Sequence, residues 1–345
     1  MLDRYLPMLL QRARALLRLP GGPPDRLAPG EVAKAARAVL ALHEGLIGDR
    51  PLAAPATYAA EHLGAYLLWW WPQTYEKVRA ALALAPMPAA PRMVDLGGGP
   101  APGAAAALDA LGGTAVCVDA SAAALAEARA LTGVETRHAD LKAGAPGGPW
   151  DVAIAANVLV ELGGGGAALL RSLDASVVVI VEPALRETGR ALLGLRDEML
   201  AEGRWQALAP CLTQRPCPAL ISPKDWCTLD VRWTAPPHVR QLAEATGLRA
   251  DELLSFAPLV LGRSAPTPER ELWRVVGVPR PEKGKRRLFV CSDQGRLPVA
   301  RLDKHQGPRN AAFDGLGRGD LVRLRGLDRR GDGLRVTPDS DVERK

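Results

Sequence analysis

Met93-Val-Asp-Leu-Gly-Gly-Gly-Pro100 decides the fold of this chain. Four residues reading as a strand, three of them apolar, run directly into three glycines, and an alanine-rich helix follows from Ala104 to Leu111. Glycines at the end of a strand let backbone approach a ligand closely, and the helix beyond presents its positive N-terminus to that ligand. Working outward, strand and helix patterns alternate. Thr114 to Asp119 reads as a second strand, Ser121 to Leu131 as a helix, and Val134 to His138 as a short third strand. Asp151 to Ala156 and Ser176 to Val181 read as a fourth and a fifth. Apolar strands of this length between helices imply right-handed crossovers and a buried parallel sheet.

Acidic residues sharpen the meaning of the glycine turn. Asp119 ends the second strand about twenty residues on, where a carboxylate accepts ribose hydroxyls. Asp140 follows the third strand and is placed for an adenine edge, with Leu141 beside it. A dinucleotide site would carry Gly-x-Gly-x-x-Gly, which Pro100 and Pro102 interrupt here, and it would leave Asp95 unexplained. The set resembles class I S-adenosylmethionine-dependent methyltransferases, whose first motif has an acid two residues before the first glycine. That resemblance implies cofactor contacts from Asp95, Gly97, Gly98, Gly99, Asp119, Asp140, Leu141 and Asn157. Amino-methylating members of that class carry Asn/Asp-Pro-Pro-aromatic after the fourth strand, whereas this chain has Asn157-Val-Leu-Val-Glu161. No histidine forms a nucleophile and base pair with a partner in the pattern, so no catalytic residue is assigned. A glycine turn kept only for strand–helix packing is the plainer alternative.

The cysteines carry the second signal. Cys211, Cys217 and Cys227 fall close together, Cys291 lies in the basic C-terminal part, and Cys117 sits in an apolar strand as a small core residue. Pro210, Pro216 and Pro218 stiffen the backbone around the first two thiols, and a rigid loop loses less chain entropy when it closes on a metal. Four thiols apart from the core suit one tetrahedral thiolate site, holding an iron–sulfur cluster or a zinc. The spacing is not the Cys-x2-Cys of zinc ribbons. From spacing alone, a shared metal site and unrelated structural or redox cysteines both stand.

Composition bounds the rest. The chain has 345 residues with 48% hydrophobic and 4% aromatic content, so Ala, Leu and Val must build its core. The formal net charge is +6, and Ser264 to Lys345 holds nineteen Lys/Arg against twelve Asp/Glu, a surplus of seven on an otherwise near-neutral body. A basic end suggests a polyanion partner, nucleic acid foremost, with a solvated basic surface as the bland alternative. No run has the length of a membrane span. The arginine-rich start from Met1 to Arg18 reads as an amphipathic helix and not as a targeting leader, because Asp3 and Pro7 interrupt a presequence pattern. Cytoplasm is the expected compartment, where disulfides are rare.

The expected organisation is a helical N-terminal region over 1–85, with helices at Glu31–Glu44 and Tyr58–Leu84 around a turn-rich break at Gly48-Asp-Arg-Pro51. Tyr66-Leu-Leu-Trp-Trp-Trp-Pro-Gln-Thr-Tyr75 reads as a helix-packing seam, not a base-stacking platform. A methyltransferase-like domain spans 86–279, with a cysteine-bearing insertion at about 204–236, and Leu253–Gly262 is expected to pair with Glu271–Val278 as a closing hairpin. A basic β domain follows over 280–345, with short strands at 287–291, 297–301, 320–325 and 333–336 that suit a small OB-like barrel.

Several stretches together are similar to the methyltransferase-like family of mitochondrial small-subunit ribosome assembly factors and their bacterial relatives. They are Ala65–Tyr75, Asp95–Pro100, Val181-Glu-Pro183, Ala209-Pro-Cys211, Cys217-Pro218, Asp225-Trp-Cys227 and Phe289-Val-Cys291. The resemblance implies an S-adenosylmethionine site and a [4Fe-4S] cluster held by Cys211, Cys217, Cys227 and Cys291. It also implies association with the small ribosomal subunit and its rRNA, in the bacterial cytoplasm or, for a eukaryotic chain, the mitochondrion. A monomer that does not engage membranes is expected. Thr228 departs from the histidine common in that family, and Trp69-Trp-Trp71 replaces a stretch richer in arginine. Two other function classes remain in view: a non-catalytic assembly factor on the same fold, and a small-molecule methyltransferase with a structural zinc.

Overall fold

The computed structural model describes residues 1–46, 59–265 and 271–345. The expected break at Gly48–Pro51 and the start of the second helix at Tyr58 lie outside the described residues. In chain order the N-terminal helices are α1 (Leu6–Leu17), α2 (Pro29–Gly45) and α3 (Ala60–Leu82). Next come β1 (Arg92–Leu96), α4 (Pro102–Leu111), β2 (Thr114–Asp119), α5 (Ala122–Thr132), β3 (Glu135–His138), β4 (Trp150–Ala156), α6 (Leu159–Leu162), α7 (Gly165–Ser172) and β5 (Ala175–Pro183). They are followed by α8 (Arg186–Ala201), β6 (Gln206–Ala209), β7 (Leu229–Arg232), α9 (Pro237–Thr246) and β8 (Leu253–Gly262). The C-terminal strands are β9 (Leu272–Val275), β10 (Arg280–Glu282), β11 (Lys285–Ser292), β12 (Gly295–Leu302), β13 (Leu321–Arg325), β14 (Asp328–Arg330), β15 (Gly333–Val336) and β16 (Asp341–Arg344). The chain folds as two compact units, residues 1–181 with 231–254, and residues 182–230 with 255–345.

In the first unit the strands run parallel in the order β3-β2-β1-β4-β5. The central strands are apolar on both sides; Met93, Val94, Leu96, Val152, Ile154, Val179 and Ile180 are fully buried. A parallel sheet covered by helices on both faces requires that. Reversal of strand order between β1 and β4 opens a crevice at the carboxyl ends of the strands, where such sheets bind ligands. This is an α/β, Rossmann-like sheet with a helical N-terminal region attached.

The aromatic stretch is the packing seam its apolar setting indicated. Trp71 and Tyr75 on α3 are fully buried and stack at 5.6 Å, with Tyr5 against both at 5.1 and 5.8 Å. The Tyr75 hydroxyl donates to Asp109 on α4 at 2.6 Å.

In the second unit β6 and β8 pair antiparallel, and the C-terminal strands form a sheet in the order β14-β15-β12-β11-β9-β13-β16. The expected hairpin between Leu253–Gly262 and Glu271–Val278 does not form. β9 pairs instead with β11 at Val290 and Cys291 and with β13 at Leu321 to Arg323. The reason lies in packing: Trp273 and Val275 point into a core with Leu288, Val290, Val299, Phe313, Val322 and Val336. The antiparallel run β9-β11-β12, the parallel pair β12·β15 and the return pairing β9·β13 give the Greek-key connectivity of an OB-like module. A 3-10 turn at Pro308–Gly315 stands between β12 and β13, and its Phe313 fills the core.

Candidate functional site

The glycine turn is held open from below. Asp95 on β1 is almost fully buried, and its Oδ2 accepts the N–H of Ala104 at 2.7 Å. Ala104 is the third residue of α4, whose N-terminal N–H groups lack partners within the helix, so Asp95 caps that helix from the preceding strand. A Cβ on Gly98 would come within 2.6 Å of the Asp95 carboxylate, and one on Gly103 within 2.8 Å. Two of the glycines therefore exist to make room for an acid. Gly97 and Gly99 turn the backbone with φ of +61° and +54°, which L side chains adopt at a cost. Burial pushes the Asp95 carboxyl up to about 7, partly opposed by the Ala104 N–H and reinforced by the charge of Asp119.

Asp119 closes the other side. Its Oδ2 accepts the Gly99 N–H at 2.8 Å and its Oδ1 the Ser121 N–H at 2.7 Å. Burial raises its pKa against those two donors. Cys117 is fully buried, as a core residue should be, and its thiol donates to the Gly99 carbonyl at 3.6 Å.

Gly97, Gly98, Gly99, Asp119 and Asn157 line one cavity at the carboxyl ends of the strands. Asp95 lies beneath its floor, bonded to α4. Asp140 stands outside the lining, exposed, with its carboxylate on the Lys142 N–H at 2.9 Å. Leu141 is buried under the turn, a methyl group near the Gly97 position. Leu63 and Tyr66 of α3 also line the cavity, together with Ser121. Tyr66 belongs to the stretch the sequence marks as a packing seam and Leu63 to the helix before it; the one available signal for Tyr66 was its place one helical turn before Trp69. α3 reaches the site twice more: the Trp71 indole donates to the Pro100 carbonyl at 2.9 Å, and Asn157, at φ +61°, sets its amide 3.5 Å from the Thr74 hydroxyl.

The second unit brings four thiols together. Cys211, Cys217, Cys227 and Cys291 line a single cavity with Pro210, Trp226 and two arginines, Arg274 and Arg296. All four are free and partly exposed at the residue level. Their charges are mutually felt: the Cys291 thiol is pushed up to about 12, first by burial and then by Cys211 and Cys217. The Cys227 thiol is raised further still by burial, with Cys211, Cys291 and Cys217 adding to it. Burial also raises Cys217, against a lowering by the Ala219 N–H and Arg196.

A cationic frame surrounds these sulfurs. Arg196 is buried, pairs with Asp197 and donates to the carbonyls of Thr213 and Arg215, which fixes the loop carrying Cys217. Asp197 in turn accepts the Cys217 N–H at 2.8 Å. Arg274 of β9 donates to the carbonyls of Pro210 at 3.3 Å and Gly319 at 2.9 Å. Arg296 pairs with Asp225 at 2.6 Å. Among the described residues, no three of His, Cys, Asp or Glu are arranged to hold a single metal ion. The thiols share a cavity without forming a one-ion site.

The sequence profile of the family described as "Mitochondrial small ribosomal subunit Rsm22" matches residues 60–322, most of the chain and both sites. The chain belongs to the Rsm22 family. Among solved structures it is similar to an SAM-dependent methyltransferase from Thiobacillus denitrificans in complex with S-adenosyl-L-homocysteine (16% identity, 56% of this chain and 92% of that one, TM-score 0.32). The counterpart from Geobacter sulfurreducens, with the same ligand, is matched at 16% identity over 56% and 91% of the two chains, TM-score 0.32. A TehB-like SAM-dependent methyltransferase from Corynebacterium glutamicum is matched at 16% identity over 55% and 88%, TM-score 0.33. No curated protein matches the chain in sequence. No helix among the described residues is long and apolar enough to cross a membrane.

Proposed function

We propose that this Rsm22-family chain is an S-adenosylmethionine-dependent methyltransferase directed at RNA of the small ribosomal subunit, and that a [4Fe-4S] cluster held by Cys211, Cys217, Cys227 and Cys291 organises its second unit. The observation that carries the cofactor reading is the Gly97–Gly99 turn closed over a buried Asp95 and tied to Asp119. There the backbone could approach a ligand closely, and Asp119 has lone pairs left for ribose hydroxyls beside the Gly99 and Ser121 N–H groups. Bound cofactor supplies an electrophilic methyl group. The chain's own part is orientation and exclusion of water, the main contribution a protein makes to an in-line displacement. Leu63 and Tyr66 would cover the apolar side of the ligand, and Asn157 would border its reactive end.

The donor set fits a cluster. Four thiols around one cavity match the four-thiolate ligation of iron–sulfur centres, whereas one zinc needs all four sulfurs about 2.3 Å from a common point. Sharing a cavity without a single-ion arrangement favours the cluster over zinc. Arg196, Arg274 and Arg296 would offset the charge of four deprotonated sulfurs. Cys291 sits on β11 of the OB-like module and the other three on loops before β8, so a cluster would staple the segments of this unit. The family description supports the mitochondrion for a eukaryotic chain, and the bacterial cytoplasm is the reading for a bacterial one.

A second reading, an assembly factor that binds cofactor without transferring methyl groups, is favoured by one departure: Asn157 is followed by Val158 and Leu159 where amino-methylating relatives of the fold carry prolines. Transfer of label from radioactive S-adenosylmethionine to small-subunit rRNA decides between them. Labelled RNA supports the enzyme; tight cofactor binding with no labelled RNA leaves the scaffold; absence of cofactor binding removes both.

A further inference from the structure

In the OB-like module the register assigns strand residues to the core face or to the face opposite it. Leu288 and Val290 of β11, Val299 of β12 and Val336 of β15 point into the core. Side chains alternate along a strand, so Arg287, Phe289, Cys291, Arg296, Pro298 and Arg335 share the opposite, partly exposed face, whose Cys291–Arg296 end lines the thiol cavity. The cross-strand pairs Arg287↔Ala300↔Arg335 and Phe289↔Pro298 form its rows, and Arg330 of β14 pairs with Gly333 beside them. A Cβ on Gly333 would come within 2.7 Å of the Pro298 carbonyl, so glycine keeps the ground next to Phe289 low.

We propose that this face of β11, β12 and β15 binds single-stranded RNA, with Phe289 as a base-stacking platform and Arg330 and Arg335 on the phosphates. The proposal deepens the RNA-directed reading above and rests on it. Three observations carry it. First, β11 and β12 continue the antiparallel run from β9 and so stand where the second and third strands of an OB module do, with β15 beside them, and those two strands make the surface on which that fold binds oligonucleotides. Second, its arginines outnumber the acids that pair with them: Arg287 pairs with Glu282, Arg296 with Asp225 and Arg330 with Asp328 at an exposed 3.3 Å, whereas Arg335, across from Asp328 in the register, makes no ion pair with any described acid and is available for phosphate. Third, Phe289 already receives a planar group, the Arg296 guanidinium, 4.4 Å above its ring. Arg296 keeps a carboxylate partner in Asp225, so a nucleobase can take its place on the ring without stranding a charge. An aromatic ring on a basic sheet favours unpaired bases, which expose their π-faces, over a duplex, which hides them.

The test titrates the full chain against a fluorescein-labelled single-stranded RNA of about a dozen nucleotides and against its duplex, over roughly 50 to 200 mM salt. Phe289→Ala is expected to weaken single-strand binding roughly tenfold, the contribution of one stacked base, while Phe289→Trp retains it. Arg330→Ala with Arg335→Ala is expected to flatten the slope of log K against log salt by about 1.4, two phosphates' worth for a single strand. Arg309→Ala, a basic residue off this face paired with Asp341, should leave both unchanged. If the wild-type chain binds RNA and neither Phe289→Ala nor the double arginine variant differs from it, the surface is wrong and the RNA reading stands. If the wild-type chain binds no RNA, the RNA reading falls and takes the surface with it. Preference for polyglutamate over RNA, insensitive to Phe289→Ala, would mark an acidic protein partner and overturn the proposal. The double arginine variant leaves every residue of the module's apolar core in place, so it decides the matter even where Phe289→Ala does not fold.

Discussion

The indole N–H of Trp71 donates to the carbonyl of Pro100 across 2.9 Å of buried space, which ties the aromatic helix α3 to the end of the glycine turn. Pro100 follows the turn and lines the same cavity, and Trp71 is fully buried against Tyr5 and Tyr75. One side chain thus couples the N-terminal helices to the position of the turn. Trp71→Phe keeps an aromatic ring and removes the donor. It should destabilise the protein by about 1–3 kcal/mol, since a buried carbonyl loses its partner. It should also loosen S-adenosylhomocysteine binding several-fold. Denaturant unfolding and calorimetric titration measure the two effects; unchanged values for both would show that the bond is incidental.

Gly98→Ala brings a methyl group to 2.6 Å from the Asp95 carboxylate and 2.7 Å from the Cys117 sulfur, both in the packed floor of the site. Neither neighbour can retreat, because Asp95 caps α4 and Cys117 is fully buried. Overpacking of this kind costs about 1–3 kcal/mol. Cofactor affinity should fall by more than tenfold, whereas Gly133→Ala, at a turn with nothing nearby, should affect stability alone through its positive φ. Equal cofactor affinity in the two variants would contradict this role for the glycine.

Asp95 makes stability depend on pH in an unusual sense. Its folded pKa is raised to about 7 by burial, above the ordinary value near 4 of an unfolded chain. Between those values the folded state holds a proton that the unfolded state has released, so stability falls as pH rises from about 4 to about 7 and is level above that. Asp119 is shifted in the same direction and adds to the trend. Asp95→Asn keeps an oxygen for the Ala104 N–H and cannot ionise. Its stability should be flatter across that window and equal to or above wild type at pH 8. Urea midpoints across pH 4 to 8 give the comparison, and a slope retained in the variant would place the effect elsewhere.

Anaerobically prepared protein should be brown and contain close to four irons and four sulfides per chain, as one cluster on four cysteine thiolates requires. Cys227→Ser and Cys291→Ser should each lose most of that iron, and Cys117→Ala should keep it, because Cys117 lies in the first unit beneath the glycine turn. Removing iron with a chelator should lower the unfolding temperature and increase proteolysis within residues 204–345, since metal affinity is folding energy for the loops that hold it. Zinc at one per chain, or full iron in Cys291→Ser, would refute the ligand set.

Much of the first unit was legible in the sequence because its signals are local. Strands Thr114–Asp119 and Asp151–Ala156 are continuous apolar runs, and a fully buried parallel strand demands that composition whichever neighbour it acquires. The glycine turn and Asp119 announced themselves in the same way. Asp140 did not line the cavity, because its position after a strand says where the chain turns and nothing about where its carboxylate points. Tyr66 was read as packing and lines the cavity as well: a helix has more than one face, and composition does not say which one a ligand meets.

Sequence alone determined the alternation of strand and helix, the glycine turn with its acids, the excess of positive charge toward the end, and which cysteines stand apart from the core. Each is a property of neighbouring residues, set by sterics and by the period of burial. Tertiary structure decided that β9 joins β11 and β13 instead of β8, that α3 reaches the cavity at the glycine turn, and that Cys291 arrives beside three thiols distant along the chain. Those outcomes depend on which buried surfaces fill one another's space, and close packing is a property of the folded whole that no stretch of chain carries by itself.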